Sequence, residues 1–340
     1  MKIFALMILG VNFRFIFSKK FLAYLLLICF SSCDTFMKEE ITGSVYGTTY
    51  KIQYYVENLE DFNFKIQIDS IFNEIDFSMS TYKSNSIISR INKNEVLEID
   101  NHFLNVFKSS KEIYKITNGR FDPSIGILVN YWGFGADKSD HKKSLYEVKS
   151  KVGLSKFDLN NNFLLRPQDS YLDFNAIAKG YAVDQIAEFL EKNDINNFLI
   201  EVGGEIRASG KNLVLYNPWN VGIDMPRFDG GRSIYSTLLV SDISLASSGT
   251  YRKYKIDSLG NKYAHIIDPR TGKPTKTNIL SVNVKTKKCI DADAYATALH
   301  VMNLNEIEIF LKDKENISAL VIYENEDNEL DFVDFNDFYN

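Results

Sequence analysis

Cysteine is scarce in this chain of 340 residues: Cys29, Cys33 and Cys289 are all there are. That excludes a disulfide framework, and no Cys/His spacing of the zinc type occurs. In a mature chain that starts at Cys33, Cys289 has no bridging partner except Cys33 itself. An excess of positive charge is missing too. With 39 Lys and Arg against 44 Asp and Glu, the formal net charge is −5. No basic run interleaved with aromatics marks a nucleic-acid surface. Internal repeats, low-complexity tracts and a Walker glycine loop are also lacking. What remains is 45% hydrophobic and 14% aromatic, ample for one large domain or two intimately packed ones.

The N-terminal segment reads as a targeting signal. Lys19 and Lys20 precede an apolar run, Phe21 to Phe30, of the length of a signal core. Ser31-Ser32-Cys33 follows, and two small residues before a cysteine resemble a lipobox, in which Cys33 is lipidated and becomes the first mature residue. The alternative is one membrane anchor over residues 3–30, which the two lysines interrupt. The expectation is therefore a signal peptide over 1–32, a lipidated Cys33 with a tether over 33–43, and a domain over 44–335 held at a membrane outside the cytoplasm.

Alternation of β-branched and aromatic residues predicts strands over 44–56, 196–202, 204–209, 211–216, 218–224, 234–241, 243–247, 279–286 and, last, 317–323. Apolar residues at helical spacing predict helices over 63–76, 101–117, 175–191, 292–302 and 305–313, with Gly119 ending the second. Residues 136–170 read as a polar connector with a short helix. Strands and helices mix without a steady βαβ rhythm, so the class is α+β.

Several segments suit chemistry. His265-Ile266-Ile267-Asp268-Pro269-Arg270-Thr271-Gly272-Lys273-Pro274 puts a titratable histidine beside a stiff, cation-bearing turn. In the 292–302 helix, Asp293 and Thr297 are four apart and share a face, and the alanines around them permit close approach. A carboxylate and a hydroxyl there suit a hard cation such as Mg²⁺; a tightly packed alanine helix with a polar edge is the plainer alternative. Asn175 is a plausible N-cap for the 175–191 helix, and Lys179, one turn in, adds charge where phosphate is favoured. Trp132-Gly133-Phe134-Gly135 offers aromatic faces to flat rings, and Gly203-Gly204 marks a close backbone approach.

In chain order, GTTY, MSTYKSNSIISRIN, GRFDPSIGILVNYWGFG, LDFNAIAKGYAVD, VGGEIRASG, SSGTYRKY, HIIDPRTGKP and DADAYATALHVM closely resemble the ApbE family, the bacterial FAD:protein FMN transferases. They span residues 47–302. The resemblance implies an ApbE-like fold, a mixed β-sheet core flanked by helices, and a lipid-anchored location on the periplasmic side of a bacterial envelope. It implies FAD as substrate and Mg²⁺ on its pyrophosphate, ligated by Asp293, Thr297 and the backbone carbonyl of Ala176. Flavin-nucleotide contacts map to Tyr46, Tyr82, Arg120, Phe121, Asp122, Asp173, Lys179, Ile266 and Ile267. The partner is an acceptor protein whose Thr or Ser hydroxyl attacks the phosphorus on the FMN side, with AMP leaving. His265 is the candidate base, since its ordinary pKa lies near working pH. His102, His141 and His300 are expected at the surface or in the core. The chain departs from the family pattern at Asn175, Ala176 and Thr250, and Tyr46 stands where many members carry methionine. Two other readings use the same residues: an FAD pyrophosphatase giving FMN and AMP, and a non-catalytic FAD-binding lipoprotein.

Overall fold

Eight strands pair into one sheet in the order β1 (Met37–Val45), β2 (Thr48–Val56), β5 (Phe198–Val202), β6 (Glu205–Ser209), β9 (Ile243–Gly249), β14 (Ile279–Thr286), β15 (Ser318–Glu324) and β16 (Leu330–Phe335), every pair from β2 onward antiparallel. The computed structural model describes residues 36–56, 64–137, 143–229, 231–250, 254–256 and 262–339. The signal segment, Cys33 and His141 lie outside the described residues. The chain divides into two compact units. The first, Met1–Met37 with Val56–Asp61, lies almost wholly outside the described residues; the second, Lys38–Tyr55 with Phe62–Asn340, carries everything below.

Where periodicity predicts a tether and then one strand, the chain makes a hairpin, β1 (Met37–Val45) and β2 (Thr48–Val56). Tyr46 and Gly47 between them both have positive φ, 52° and 76°, the backbone that a two-residue hairpin turn demands. The helices α1 (Lys65–Met79), α2 (Ile87–Asn92), α3 (Asn101–Ile116), α4 (Gly126–Tyr131) and α5 (Leu145–Lys149) follow. Asp100 caps α3, its carboxylate accepting from Phe103 N at 2.8 Å. The connector also holds a hairpin, β3 (Asp158–Asn160) and β4 (Phe163–Leu165), too short to register as a periodic signal.

The helix expected over 175–191 starts later, as α6 (Ala178–Lys192). Asn175 is not its cap: Asp173 Oδ1 accepts from Asn175 N at 2.8 Å and holds residues 175–177 in a turn outside the helix. Next come β5 (Phe198–Val202) and β6 (Glu205–Ser209). The predicted strand over 211–216 is a turn instead, because the Asn212 side chain accepts from Val214 N and Leu215 N and folds the segment back. The remainder comprises β7 (Trp219–Asp224), β8 (Ile234–Val240), β9 (Ile243–Gly249), β10 (Tyr254–Ile256), β11 (Lys262–Ala264), β12 (Ile267–Asp268), β13 (Lys273–Pro274), β14 (Ile279–Thr286), α7 (Cys289–His300), α8 (Leu304–Leu311), β15 (Ser318–Glu324) and β16 (Leu330–Phe335). The last strand completes the sheet edge beyond the one expected at 317–323.

The helix α6 packs on β5 and β6, and α7 packs on β9, β14 and α6. Register defines two ends of the sheet. Tyr54 pairs with Phe198, Phe198 with Ser209, and Ala208 with Ile243 at one end. Tyr50 pairs with Val202, Val202 with Glu205, and Ser281 with Gly249 at the other.

Candidate functional site

Two helices that lack caps of their own exchange carboxylates. No side chain next to α6 or α7 in sequence caps either helix. Instead Asp293 of α7 accepts from Gly180 N in the first turn of α6, at 3.0 Å. Asp184 of α6 accepts from Cys289 N and Ile290 N at the start of α7, at 3.1 and 2.9 Å. Each carboxylate thus satisfies donors that a helix start leaves orphaned. The exchange requires close contact, and Gly180 permits it. A Cβ there would stand 2.3 Å from the carbonyl oxygen of Cys289 and 2.9 Å from Asp293 Cβ. Arg207 Nη1 lies 2.8 Å from Asp184 and pairs it across to β6.

Asp293 is 6% exposed. Burial raises its pKa, opposed by the charge of Lys179 and the Gly180 N–H. Its other oxygen takes no hydrogen bond among the described residues. Thr297 and His300 follow at helical spacings of four and seven on that face. Ala176 lies in the turn that Asp173 holds out of α6. The Asp293 carboxylate, the half-buried Thr297 hydroxyl and the Ala176 carbonyl are all oxygen donors, the kind of ligand that a hard cation takes. Among the described residues no cluster of three or more His, Cys, Asp or Glu exists to hold a metal by side chains alone. Lys179 is not a lone cation: its Nζ is 2.5 Å from Oε1 of Glu205, a buried carboxylate at the start of β6.

His265 sits half-buried between β11 and β12. Its ring meets Phe134 edge-on, with centroids 6.3 Å apart, so the aromatic loop and the histidine turn come together as two parts of one wall. Trp132 Nε1 donates to Gly272 O at 2.8 Å, and Lys255 Nζ donates to Gly133 O at 2.7 Å beneath the same loop. His300 is fully buried, its Nδ1 3.2 Å from Ser248 O. Burial, helped by the neighbouring His265, pushes His300 down to about 4, so it stays neutral at pH 7.

One carboxylate joins two turns of the site. Glu306 lies in the first turn of α8, in a capping box with Asn303. It accepts from Arg120 at 2.8 Å and Arg270 at 3.0 Å. Arg270 also grips Asp268 at 3.1 Å and donates to Val301 O at 3.0 Å. Desolvation alone would raise the Glu306 carboxyl; Arg120, the Asn303 N–H and Arg270 outweigh it and bring it down to about 2.

The expected flavin contacts fall into two groups. Tyr82 is 64% exposed, with the Asp173 carboxylate close enough to help desolvation raise its phenol. Tyr46, at the hairpin turn, donates its hydroxyl to Phe72 O at 3.0 Å and sets its ring edge-on to Phe72. Asp173, Lys179 and Arg120 are half-buried. Phe121, Asp122, Ile266 and Ile267 are buried. Asp122 orders the loops: it accepts from Ser124 N, Ser124 Oγ and Leu154 N at 2.9, 2.6 and 3.3 Å. Burial outweighs these bonds and pushes it up to about 6. Ile267 packs with Leu128 and Val148 in a small core under α4 and α5.

The pattern of the ApbE family matches residues 46–321. The chain belongs to that family. It is 34% identical over 303 residues to an FAD:protein FMN transferase of Haemophilus influenzae, covering 83% of this chain and 85% of that one. A Vibrio cholerae protein of the same name is 33% identical over 297 residues, covering 84% and 88%. In structure the chain is similar to the flavin transferase ApbE from Vibrio cholerae, with a TM-score of 0.78 at 30% identity over 89% of this chain and 99% of that one.

Within this family fold, sequence reasoning missed Gly180, Asp184, Glu205, Arg270 and Glu306 as organisers of the site. The missing signal was spatial: Asp184 and Cys289 are 105 residues apart, Arg120 and Glu306 186. His102 and His300 fit the expectation for them, His102 bonding the Tyr181 hydroxyl at 2.9 Å and His300 lying in the core.

Proposed function

We propose that this chain transfers FMN from FAD to a Thr or Ser hydroxyl of an acceptor protein outside the cytoplasm, with Mg²⁺ and with release of AMP. The observation that carries the reading is Asp293: a buried carboxylate with one oxygen spent on Gly180 N–H and one left over, four residues before Thr297 on the same helix face. Asp293, Thr297 and the Ala176 carbonyl would hold the ion, which when bound neutralises charge on the pyrophosphate. The relatives that carry the name FAD:protein FMN transferase support the same substrate.

This chain's own residues do the rest. Lys179, held by Glu205, brings a fixed cation to the start of α6, where phosphate oxygens also meet helix N–H groups. Tyr46 and Tyr82 offer ring faces and edges to the flavin. The acceptor oxygen forms a bond to the phosphorus on the FMN side, the bond from that phosphorus to the bridging oxygen breaks, and AMP leaves with the electron pair. His265 takes the proton of the attacking hydroxyl on its imidazole ring. Lipidation at Cys33 would hold the enzyme at the membrane, on the strength of Lys19, Lys20, the apolar run and Ser31-Ser32-Cys33.

The test is full-length protein with FAD, Mg²⁺ and an acceptor domain, followed by in-gel flavin fluorescence. A fluorescent acceptor band that vanishes with chelator and returns with Mg²⁺ is expected. Free FMN and AMP beside a dark acceptor would assign the pyrophosphatase reading instead.

A further inference from the structure

The end of the sheet away from Asp293 carries an apolar projection that folding does not explain. After β6 the chain runs Lys211-Asn212-Leu213-Val214-Leu215-Tyr216-Asn217, and Val214, Leu215 and Tyr216 are 66%, 66% and 70% exposed. The turn is firmly built. Asn212 Oδ1 accepts from Val214 N at 3.0 Å, Leu215 N at 3.1 Å and the Tyr55 hydroxyl at 2.7 Å. Asn212 N donates to Asn217 O at 2.9 Å. Tyr216 is held at a φ of 52°, a costly backbone for an aromatic residue, with Lys211 Nζ 5.5 Å from its ring centroid. Three adjacent apolar side chains are thus displayed on a fixed tip whose Val214 and Leu215 N–H groups are satisfied within the turn.

The place of this tip matters. Tyr55 ties it to the last residues of β2, at the Tyr54–Phe198–Ser209 end of the sheet. Glu40 of β1 reaches Lys51 at 3.1 Å and accepts from Gln53 at 2.8 Å, so the earlier residues of β1 run alongside that same end. Cys33 precedes Lys38 by five residues, a reach of at most about 18 Å of chain. The site residues belong to the opposite end: Lys179 on Glu205 at the start of β6, Tyr46 at the hairpin turn, and His300 on Ser248 near the end of β9. The strand β2 alone has nine residues, a span of about 30 Å between the two ends.

We infer that Val214, Leu215 and Tyr216 insert into the interfacial layer of the bilayer that holds the N-terminal anchor, so that the domain stands with its transferase end away from the lipid. The inference rests on the lipid-anchor reading of Cys33. A short aliphatic pair enters the acyl boundary, an aromatic ring with a polar hydroxyl settles at headgroup depth, and Lys211 meets lipid phosphates. With a second contact beside the tether, the acceptor meets a site held at one height and orientation.

The test uses the full chain, lipidated in its host, purified and reconstituted into phospholipid vesicles, with a fluorophore on Leu215→Cys or, as a control, on Glu326→Cys. Glu326 lies exposed in the turn between β15 and β16, beyond Glu324 at the catalytic end. Cys289 is buried, so the introduced thiol takes the label. The result expected is co-sedimentation with vesicles, a blue-shifted emission at 215 and several-fold quenching there by brominated acyl chains, with no quenching at 326. Co-sedimentation with both positions equally unquenched overturns the tip insertion and leaves the anchor standing. Quenching at both positions overturns the orientation. Protein that stays in the supernatant with no quenching removes the anchor and the tip together. A label at 215 that responds to the acceptor domain but not to lipid makes the tip a protein contact and overturns the inference.

Discussion

The two ends of the sheet treat polarity in opposite ways. At the catalytic end, ionisable groups are buried and shifted: Asp293 up, His300 down to about 4, Glu205 enclosed against Lys179. At the far end, one asparagine satisfies two N–H groups of the 212–217 turn, and three apolar side chains stand outside. Burying charge costs free energy that the helix cap made by Asp293 offsets only in part, and exposing three apolar side chains gains none. Both are signs of use, the first for chemistry and the second for contact.

The sharpest way to break this contrast is Asp293→Asn. It keeps an oxygen for Gly180 N–H but removes the charge, so FMN transfer should fall on the order of 10³-fold while the melting temperature moves little. Transfer at the wild-type rate would sink the metal assignment. His265→Ala should slow transfer about 10²-fold and leave FAD affinity unchanged; equilibrium binding beside single-turnover rates separates the two, and lost affinity at an unchanged rate would make His265 a binding residue. Gly180→Ala should cost about 3 kcal/mol in urea unfolding, because the new methyl meets the Cys289 carbonyl, which is backbone and yields little.

Glu306→Gln probes the rim, and its effect should depend on pH. The folded pKa, about 2, lies below the ordinary carboxyl value, so the ion pairs stabilise the protein above pH ~4.5 and that contribution is lost as pH falls towards 2. The variant should therefore be less stable than wild type by on the order of 1 kcal/mol at pH 7, with the difference shrinking as pH falls through about 2, measured by urea midpoints. Smallest of all, Leu215→Ser should shift unfolding by no more than about 0.5 kcal/mol, since the side chain is exposed; a larger loss would show that the tip is part of the fold.

Much of this was legible in the sequence because it is local. Asp293 and Thr297 share a helix face by spacing alone, and the alanines around them announced the close packing of α7 on β9 and β14. The α+β class followed from element order. What stayed hidden depends on distant partners. Asn175 looks like a cap until Asp173 turns it out of α6, and the true cap, Asp293, comes from 113 residues away. Residues 211–216 have strand composition, but Asn212 overrides it with side-chain bonds that a periodicity count cannot see. The segment 44–56 hides a turn because tyrosine is an unusual occupant of positive φ.

The measurement that bears most directly on the account is the mole ratio of AMP released to FMN bound on the acceptor, with FAD and Mg²⁺ in excess and the full-length enzyme limiting. A ratio of one, with the flavin recovered on a Thr or Ser by mass spectrometry, is the predicted result. AMP released with the flavin found only as free FMN would contradict it, and would turn the same buried carboxylate to hydrolysis.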